Sequence, residues 1–262
     1  MMATAGTAAA SGAHCPFNGF YAGISAGESL LVGTTNQDRN IGLNVPNIGQ
    51  SYNINDSRGV GLKRNSFVGA IHGGYSYTWE ELYLGGEAFI KGSRNKASIS
   101  DTTTFSQNIA GNLTTLGVTS NTRTTLRNVE YGVDFRPGYL VTPHSLLYAK
   151  IGAAFNKLSL TSNLTFSAQS PGFGQASFPL TQGNSKTKTA LRLGAGLEQQ
   201  ICKYWTVRAD YTYTYYGRIA TTNSISGGVV SPLVGPVTAA LTNAAKTKVS
   251  NHTVMLGLSH YW

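Results

Sequence analysis

Apolar and polar side chains alternate along most of this chain with a period of two. In Val254–Trp262 the even positions Val254, Leu256, Leu258 and Trp262 are apolar, whereas Met255, Gly257, Ser259 and Tyr261 are mixed and smaller. Residues 206–216 set Val207, Ala209, Tyr211, Tyr213 and Tyr215 against Arg208, Asp210, Thr212 and Thr214. Residues 189–198 set Leu191, Leu193, Ala195 and Leu197 against Arg192, Gly194, Gly196 and Glu198. The same contrast runs through 146–156 (Leu147, Ala149, Ile151, Ala153, Phe155 against Tyr148, Lys150, Gly152, Asn156) and through 127–139 (Val129, Tyr131, Val133, Phe135, Tyr139 against Asn128, Glu130, Gly132, Asp134, Arg136). Residues 82–91, 65–78 and 19–28 repeat it less cleanly. Successive side chains of a strand point to opposite faces, so the pattern predicts eight one-sided strands of about ten residues or more.

The connections alternate too. Short joints fall at Thr78–Glu81, Val141–Ser145 and Ile201–Lys203; long ones, rich in Thr, Ser, Asn and Gly, fall at about 34–62, 92–123, 161–186 and 219–246. Long loops at one end and short turns at the other predict an all-β, closed, antiparallel, eight-stranded up-and-down meander that crosses a membrane, with four long extracellular loops and short periplasmic turns. The barrel is expected over residues 17–262. Residues 1–16, small and uncharged in their side chains apart from His14, are expected to be the remnant of an export signal and a flexible periplasmic tail.

Composition decides which face is which. Only 12% of residues are charged, against about 25% in ordinary soluble domains, and no apolar run reaches the roughly 18 residues of a helical span. The polar faces mix glycine with charges of both signs: Glu87, Glu130, Asp134, Glu198 and Asp210 against Arg136, Lys150, Arg192 and Arg208. The interior of an eight-stranded barrel is just wide enough to be filled by side chains, and buried charges must pair. A plug of salt bridges in the lumen is therefore expected rather than a conducting pore. Trp79, Trp205 and Trp262 fall at the short-turn end, and Phe20, Tyr75, Tyr77, Tyr83, Tyr139, Tyr204 and Tyr261 cluster with them. They read as an aromatic girdle at the inner membrane surface.

The segments Gly19–Gly27 (GFYAGISAG), Gly73–Tyr77 (GGYSY), Leu193–Glu198 (LGAGLE), Val207–Tyr213 (VRADYTY) and the terminal Trp262 together resemble the small outer-membrane barrels of the opacity-protein, OmpX and OmpA-transmembrane type, over about residues 17–262. The resemblance implies a monomeric barrel of the bacterial outer membrane. It also implies delivery by the barrel-assembly machinery, which would read the last strand, here ending in Trp262 where Phe is usual and carrying His260 where an apolar residue is common. Members of that family serve as adhesins, surface antigens, envelope anchors and, rarely, lipid enzymes, so the fold leaves the function open.

The net charge of +9 is unevenly placed. Lys63, Arg64, Lys91, Arg94, Lys96, Arg123, Arg127, Lys157, Lys186, Lys188, Arg218, Lys246 and Lys248, 13 of the 20 basic residues, stand where strands meet the long loops. Lys and Arg bind phosphate through charge-assisted hydrogen bonds, so a cationic collar holding lipopolysaccharide is expected. The hydroxyl- and amide-rich loop tips suit contacts with host surfaces or sister copies. Nucleic acid is not expected as a partner, since no basic platform interleaved with aromatics appears. Two other functions stay open. A small-solute porin would need an open lumen. A lipid A esterase would need Ser250 and His252, which share the outward parity of the last strand, with Glu28 near them on the first. No cofactor or metal is expected, because no His or Cys pair has ligand spacing. Cys15 and Cys202 both fall on the periplasmic side and are candidates for one disulfide in that oxidising compartment.

Overall fold

The computed structural model describes residues 17–93, 96–109, 112–126, 128–170, 174–231 and 235–262. Ten strands follow in order: β1 (Gly19–Val45), β2 (Gln50–Trp79), β3 (Leu82–Ser93), β4 (Lys96–Ile109), β5 (Asn112–Leu126), β6 (Val129–Thr142), β7 (Ser145–Ser170), β8 (Gly174–Cys202), β9 (Trp205–Ser231) and β10 (Gly235–Tyr261), with one 3-10 turn at Pro46–Ile48. They make eight staves. Along β7 the hydrogen-bonding partner changes from β6, which ends at Tyr131↔Phe155, to β5, which begins at Leu126↔Leu158, so β5 and β6 share one stave. β3 and β4 share another, facing β6 and β5 respectively. Every ladder is antiparallel, and the ring β1–β2–β3–β6–β7–β8–β9–β10 returns to β1 through Tyr21↔Tyr261 and its successors.

Greasy side chains point out of this ring. Ile24, Phe67 and Leu256 are 64%, 73% and 64% exposed, and they belong to a continuous outward band that includes Ile71, Leu84, Ile90, Val133, Phe135, Ile151, Leu193 and Val254. A soluble monomer rarely exposes an apolar patch beyond a few hundred Å²; a band around the whole circumference belongs in hydrocarbon, where closed barrels leave no backbone group unpaired.

The strands are much longer than that band requires. At about 3.3 Å per residue the 27 residues of β1 extend about 90 Å, whereas a tilted membrane strand needs only about ten residues. The segments expected as loops are thus largely continuations of the staves. Above the membrane the ring divides. The β2–β3 ladder stops at Val68↔Ser93 and the β8–β9 ladder at Leu191↔Tyr215. Beyond those points stand two four-stranded sheets, β2–β1–β10–β9 and β4–β5–β7–β8. Across the β8–β9 seam, Asn184 Nδ2 donates to the Ala220 carbonyl at 3.2 Å.

A bulge sets the outward face of β9. Val249 pairs with Gly217 but Ser250 pairs with Tyr215, so Tyr216 is the extra residue. Inward side chains are even-numbered up to Tyr216 and odd-numbered from Ile219. Gly217 takes φ +74° there, a conformation that β-branched residues strongly resist. Gly217→Val is expected to cost about 1–2 kcal/mol, read as an earlier thermal loss of the folded, heat-modifiable band on electrophoresis. Gly217→Asn, which tolerates positive φ, is expected to cost less.

Candidate functional site

Two ionic layers fill the lumen within the membrane. In the lower one, Glu87 on β3 accepts from Arg136 Nη1 at 3.0 Å, Arg208 Nη1 at 2.6 Å and Lys150 Nζ at 3.2 Å. Arg136 Nη2 reaches Glu198 at 2.7 Å, while Asp210 lies 3.2 Å from Lys150 and 3.0 Å from Arg208. Tyrosines complete the layer: Tyr21 donates to Glu87 and Tyr261 to Glu198, Tyr148 bonds Asp210, and the Arg136 guanidinium lies 3.9 Å from the centre of the Tyr148 ring. In the upper layer, Lys91 meets Glu130 at 2.7 Å, Tyr216 bonds the same carboxylate, Arg192 meets Asp134 at 3.1 Å, and Arg192 also lies over Phe89. His72 stands between Ser25 and Ser259, 3.0 Å from the latter's hydroxyl.

Register explains this convergence. Glu87 is opposite Asp134 across β3–β6, Asp134 is opposite Gly152, and Glu198 is opposite Arg208. Glycines supply the space: a Cβ at Gly152 would come within 2.1 Å of Asp134 Oδ1, and one at Gly196 within 2.5 Å of both Asp210 Oδ1 and the Tyr148 hydroxyl. Above the ions an apolar layer closes the mouth between the two extracellular sheets. Leu31, Leu62, Ile219 and Val249 come from the first sheet, and they meet Leu158, Leu160, Ala190 and Phe89.

All nine residues expected in the lumen, Glu87, Glu130, Asp134, Arg136, Lys150, Arg192, Glu198, Arg208 and Asp210, are at most 4% exposed. Lys91 needs correcting. It was expected at the outer rim because it stands beside a long loop, yet it shares the parity of Glu87 and lies opposite Glu130. Its addition gives five cations against five carboxylates inside the barrel. Tyr83 and Tyr261, expected in the girdle, are also buried and inward, whereas Phe20, Tyr75, Tyr77, Tyr139, Trp79, Trp205 and Trp262 are exposed outward. Their parity was the available signal, since Tyr83 shares that of Glu87, and Tyr261 that of Ser259.

The expected collar separates into groups. Arg94 and Arg127 lie outside the described residues, and Lys96 begins β4. Lys63, Arg123, Lys157, Arg218, Lys246 and Lys248 are exposed and share the outward face. Arg64, Lys186 and Lys188 instead lie opposite Leu31, Leu158 and Asn156, on the inward face of edge strands beside the seams. The outward residues Arg218, Lys246 and Lys248 line a 280 Å³ cleft with Thr34, Asn36 and Thr247.

The three residues of an esterase share a face but are not joined. Ser250 Oγ points to the Val32 carbonyl at 3.5 Å, His252 Nδ1 meets the Tyr211 hydroxyl at 2.8 Å, and Glu28 lies opposite Val254 and Phe67. Cys202 is exposed at the end of β8, beside the last short turn; Cys15 lies outside the described residues.

Residues 1–259 match the family model of the outer membrane protein β-barrel domain. The 31 kDa outer-membrane immunogenic proteins of Brucella melitensis and Brucella suis are each 27% identical over 210 residues, 78% of this chain and 70% of theirs. Among solved structures, the attachment invasion locus protein Ail of Yersinia pestis is 13% identical with a TM-score of 0.29, covering 88% of this chain and 99% of that one. The outer membrane protease OmpT of Escherichia coli is 9% identical with a TM-score of 0.36, covering 94% and 97%. With its ring of eight staves, its outward apolar band and a family match that spans nearly the whole sequence, the chain belongs to the outer membrane protein β-barrel domain family and lies in the bacterial outer membrane with its long hairpins at the cell surface.

Proposed function

We propose that this chain is a non-catalytic surface protein: a sealed barrel that anchors two extracellular β-sheets for display and contact, held at its outer rim by lipopolysaccharide. The observation that carries the reading is the seal. Ten ionisable side chains across the lumen are each at most 4% exposed, which leaves little room for a column of water beside them, and the apolar layer lies above them at the mouth. Transport is thus disfavoured, and the bulk of the extramembrane surface is uncharged sheet presented to the outside. Display at the surface also agrees with the immunogenic outer-membrane relatives. The side chains of Ser250 and His252 turn to different neighbours, which argues against an activated serine. Host or sister surfaces are the partners such sheets suit, and assembly into the membrane falls to the barrel-assembly machinery.

Planar bilayers test the seal. The purified protein is expected to give no stepwise conductance, and a reproducible single-channel step would overturn the sealed reading in favour of a small-solute porin. Shortening 161–186 or 219–246 is expected to abolish attachment of expressing cells to a host or sister surface while the barrel still folds.

A further inference from the structure

The outward face of β9–β10–β1 gathers three cations where a strand ladder ordinarily avoids them. Lys248 lies directly opposite Arg218 across β9–β10 and opposite Thr34 across β1–β10, and Lys246 lies opposite Asn36. Like charges directly opposite one another weaken a sheet. Arg218 is there only because of the bulge. In a regular ladder with no bulge its even number would turn it inward with Thr214 and Asp210; the bulge at Tyr216–Gly217 turns it out beside Lys248. Bulges commonly re-aim a side chain in this way.

No carboxylate answers these cations among the described residues of that face. Asp38, the nearest toward the sheet tip, is opposite Ala244 and accepts from Ser57 of β2 at 2.7 Å. Glu28, the nearest toward the membrane, is opposite Val254, three outward positions below Thr34. Beside the cations the surface is open. Thr34 and Asn36 offer a hydroxyl and an amide, and across the β1–β2 ladder they face Gly61 and Gly59. A Cβ at Gly61 would meet nothing within 4 Å. The cleft begins one outward step beyond Val32 and just past Tyr215, the last apolar and aromatic residues facing lipid on their strands. One outward step is about 7 Å along a strand, which sets the cleft in the headgroup layer.

We infer that this cleft is a site for a phosphorylated sugar, with the phosphoryl group held by Arg218, Lys248 and Lys246 and the sugar lying toward Thr34, Asn36 and the bare backbone of Gly61. The inference rests on the proposed hold on lipopolysaccharide and narrows it from a diffuse collar to one cleft. Arg can hold a phosphate through two parallel hydrogen bonds and Lys through a point charge. The chemistry is shared by a lipid headgroup of the outer leaflet and by a soluble sugar phosphate arriving from outside. The level of the cleft favours the lipid.

The test is binding of lipid A, and of lipid A stripped of its phosphates, to the purified full-length protein in detergent by native mass spectrometry. It compares the wild type with Arg218→Gln/Lys248→Gln and with Arg123→Gln/Lys157→Gln on the other sheet. Heat-modifiable migration checks that each variant folds. Loss of two charge-assisted contacts is expected to weaken phosphorylated lipid A by about 10–100-fold in the first variant, with little change in the second and none for the stripped lipid. Equal losses in both variants would overturn the cleft and leave a diffuse collar; no loss in either would overturn the collar as well. Glucosamine 6-phosphate at high concentration is expected to displace lipid A where glucosamine does not, and failure of both sugars to displace it would overturn the phosphorylated sugar as the recognised group.

Discussion

Glu87→Gln is expected to cost the folded barrel about 3–5 kcal/mol, the range for breaking one partner out of a buried ionic cluster. Glu87 is the anion that three cations share: Arg136, Lys150 and Arg208 all lie within 3.2 Å of its oxygens, at side-chain exposures of 2% or less. The substitution keeps the shape of the side chain but replaces one accepting oxygen with an amide donor that faces other donors, since both oxygens of Glu87 accept here, and it leaves five buried cations facing four carboxylates. Denaturant unfolding in lipid vesicles would read the loss. Two comparisons separate charge from packing. Glu80→Gln, exposed in the first short turn, is expected to stay within about 0.5 kcal/mol of the parent. Glu87→Gln combined with Lys150→Met restores equal numbers of opposite charges, and should recover part of the loss as a favourable coupling in the double-mutant cycle. If the double variant is simply the sum of its parts, the balance of charge does not hold this cluster together.

That balance was only partly legible in the chain. The faces could be assigned because apolar residues outnumbered charged ones on one parity of each strand and glycine sat with ions on the other, as in Leu191–Leu197 against Arg192–Glu198. Lys91 carries two conflicting signals, its position beside a long connection and its parity with Glu87, and the parity is the one the fold obeys. Strand length was hidden for a physical reason. Beyond the apolar band the inward face is buried but polar, as at Gln37 and Arg39, and the outward face is exposed, so stretches such as Asn36–Asn40 carry no hydrophobic contrast, although their ladders to Lys246–Thr242 are continuous. The bulge has a sign in the sequence, since an isolated glycine inside a strand pattern, here Gly217 after Tyr215 and Tyr216, often marks one. The division into two extracellular sheets left none. It depends on where the ladders β2–β3 and β8–β9 stop, which alternation alone does not encode.

The glycines of the polar faces make the second large effect. Gly196→Ala is expected to destabilise the barrel by about 1–3 kcal/mol, the usual cost of overpacking a filled interior, and Gly196→Leu to lower the folded fraction further. The reason lies in what surrounds the position. The added Cβ would stand 2.5 Å from the Tyr148 hydroxyl and from Asp210 Oδ1, and 2.6 Å from Tyr148 Cζ. Each of these is the end of a side chain, which ordinarily could swing aside. Neither can do so freely here. The Tyr148 ring is held by the Arg136 guanidinium 3.9 Å from its centre, and Asp210 is held by Lys150 and Arg208. A shift of either therefore disturbs the pairs around Glu87. Gly86→Ala is the matched comparison: it faces outward, and a Cβ there would meet nothing within 4 Å. Its barrel should remain within about 0.5 kcal/mol of the parent. Denaturant midpoints that coincide for the two alanine variants would mean that the lumen can yield around Tyr148, and that glycine at 196 is not required by the ring and carboxylate beside it.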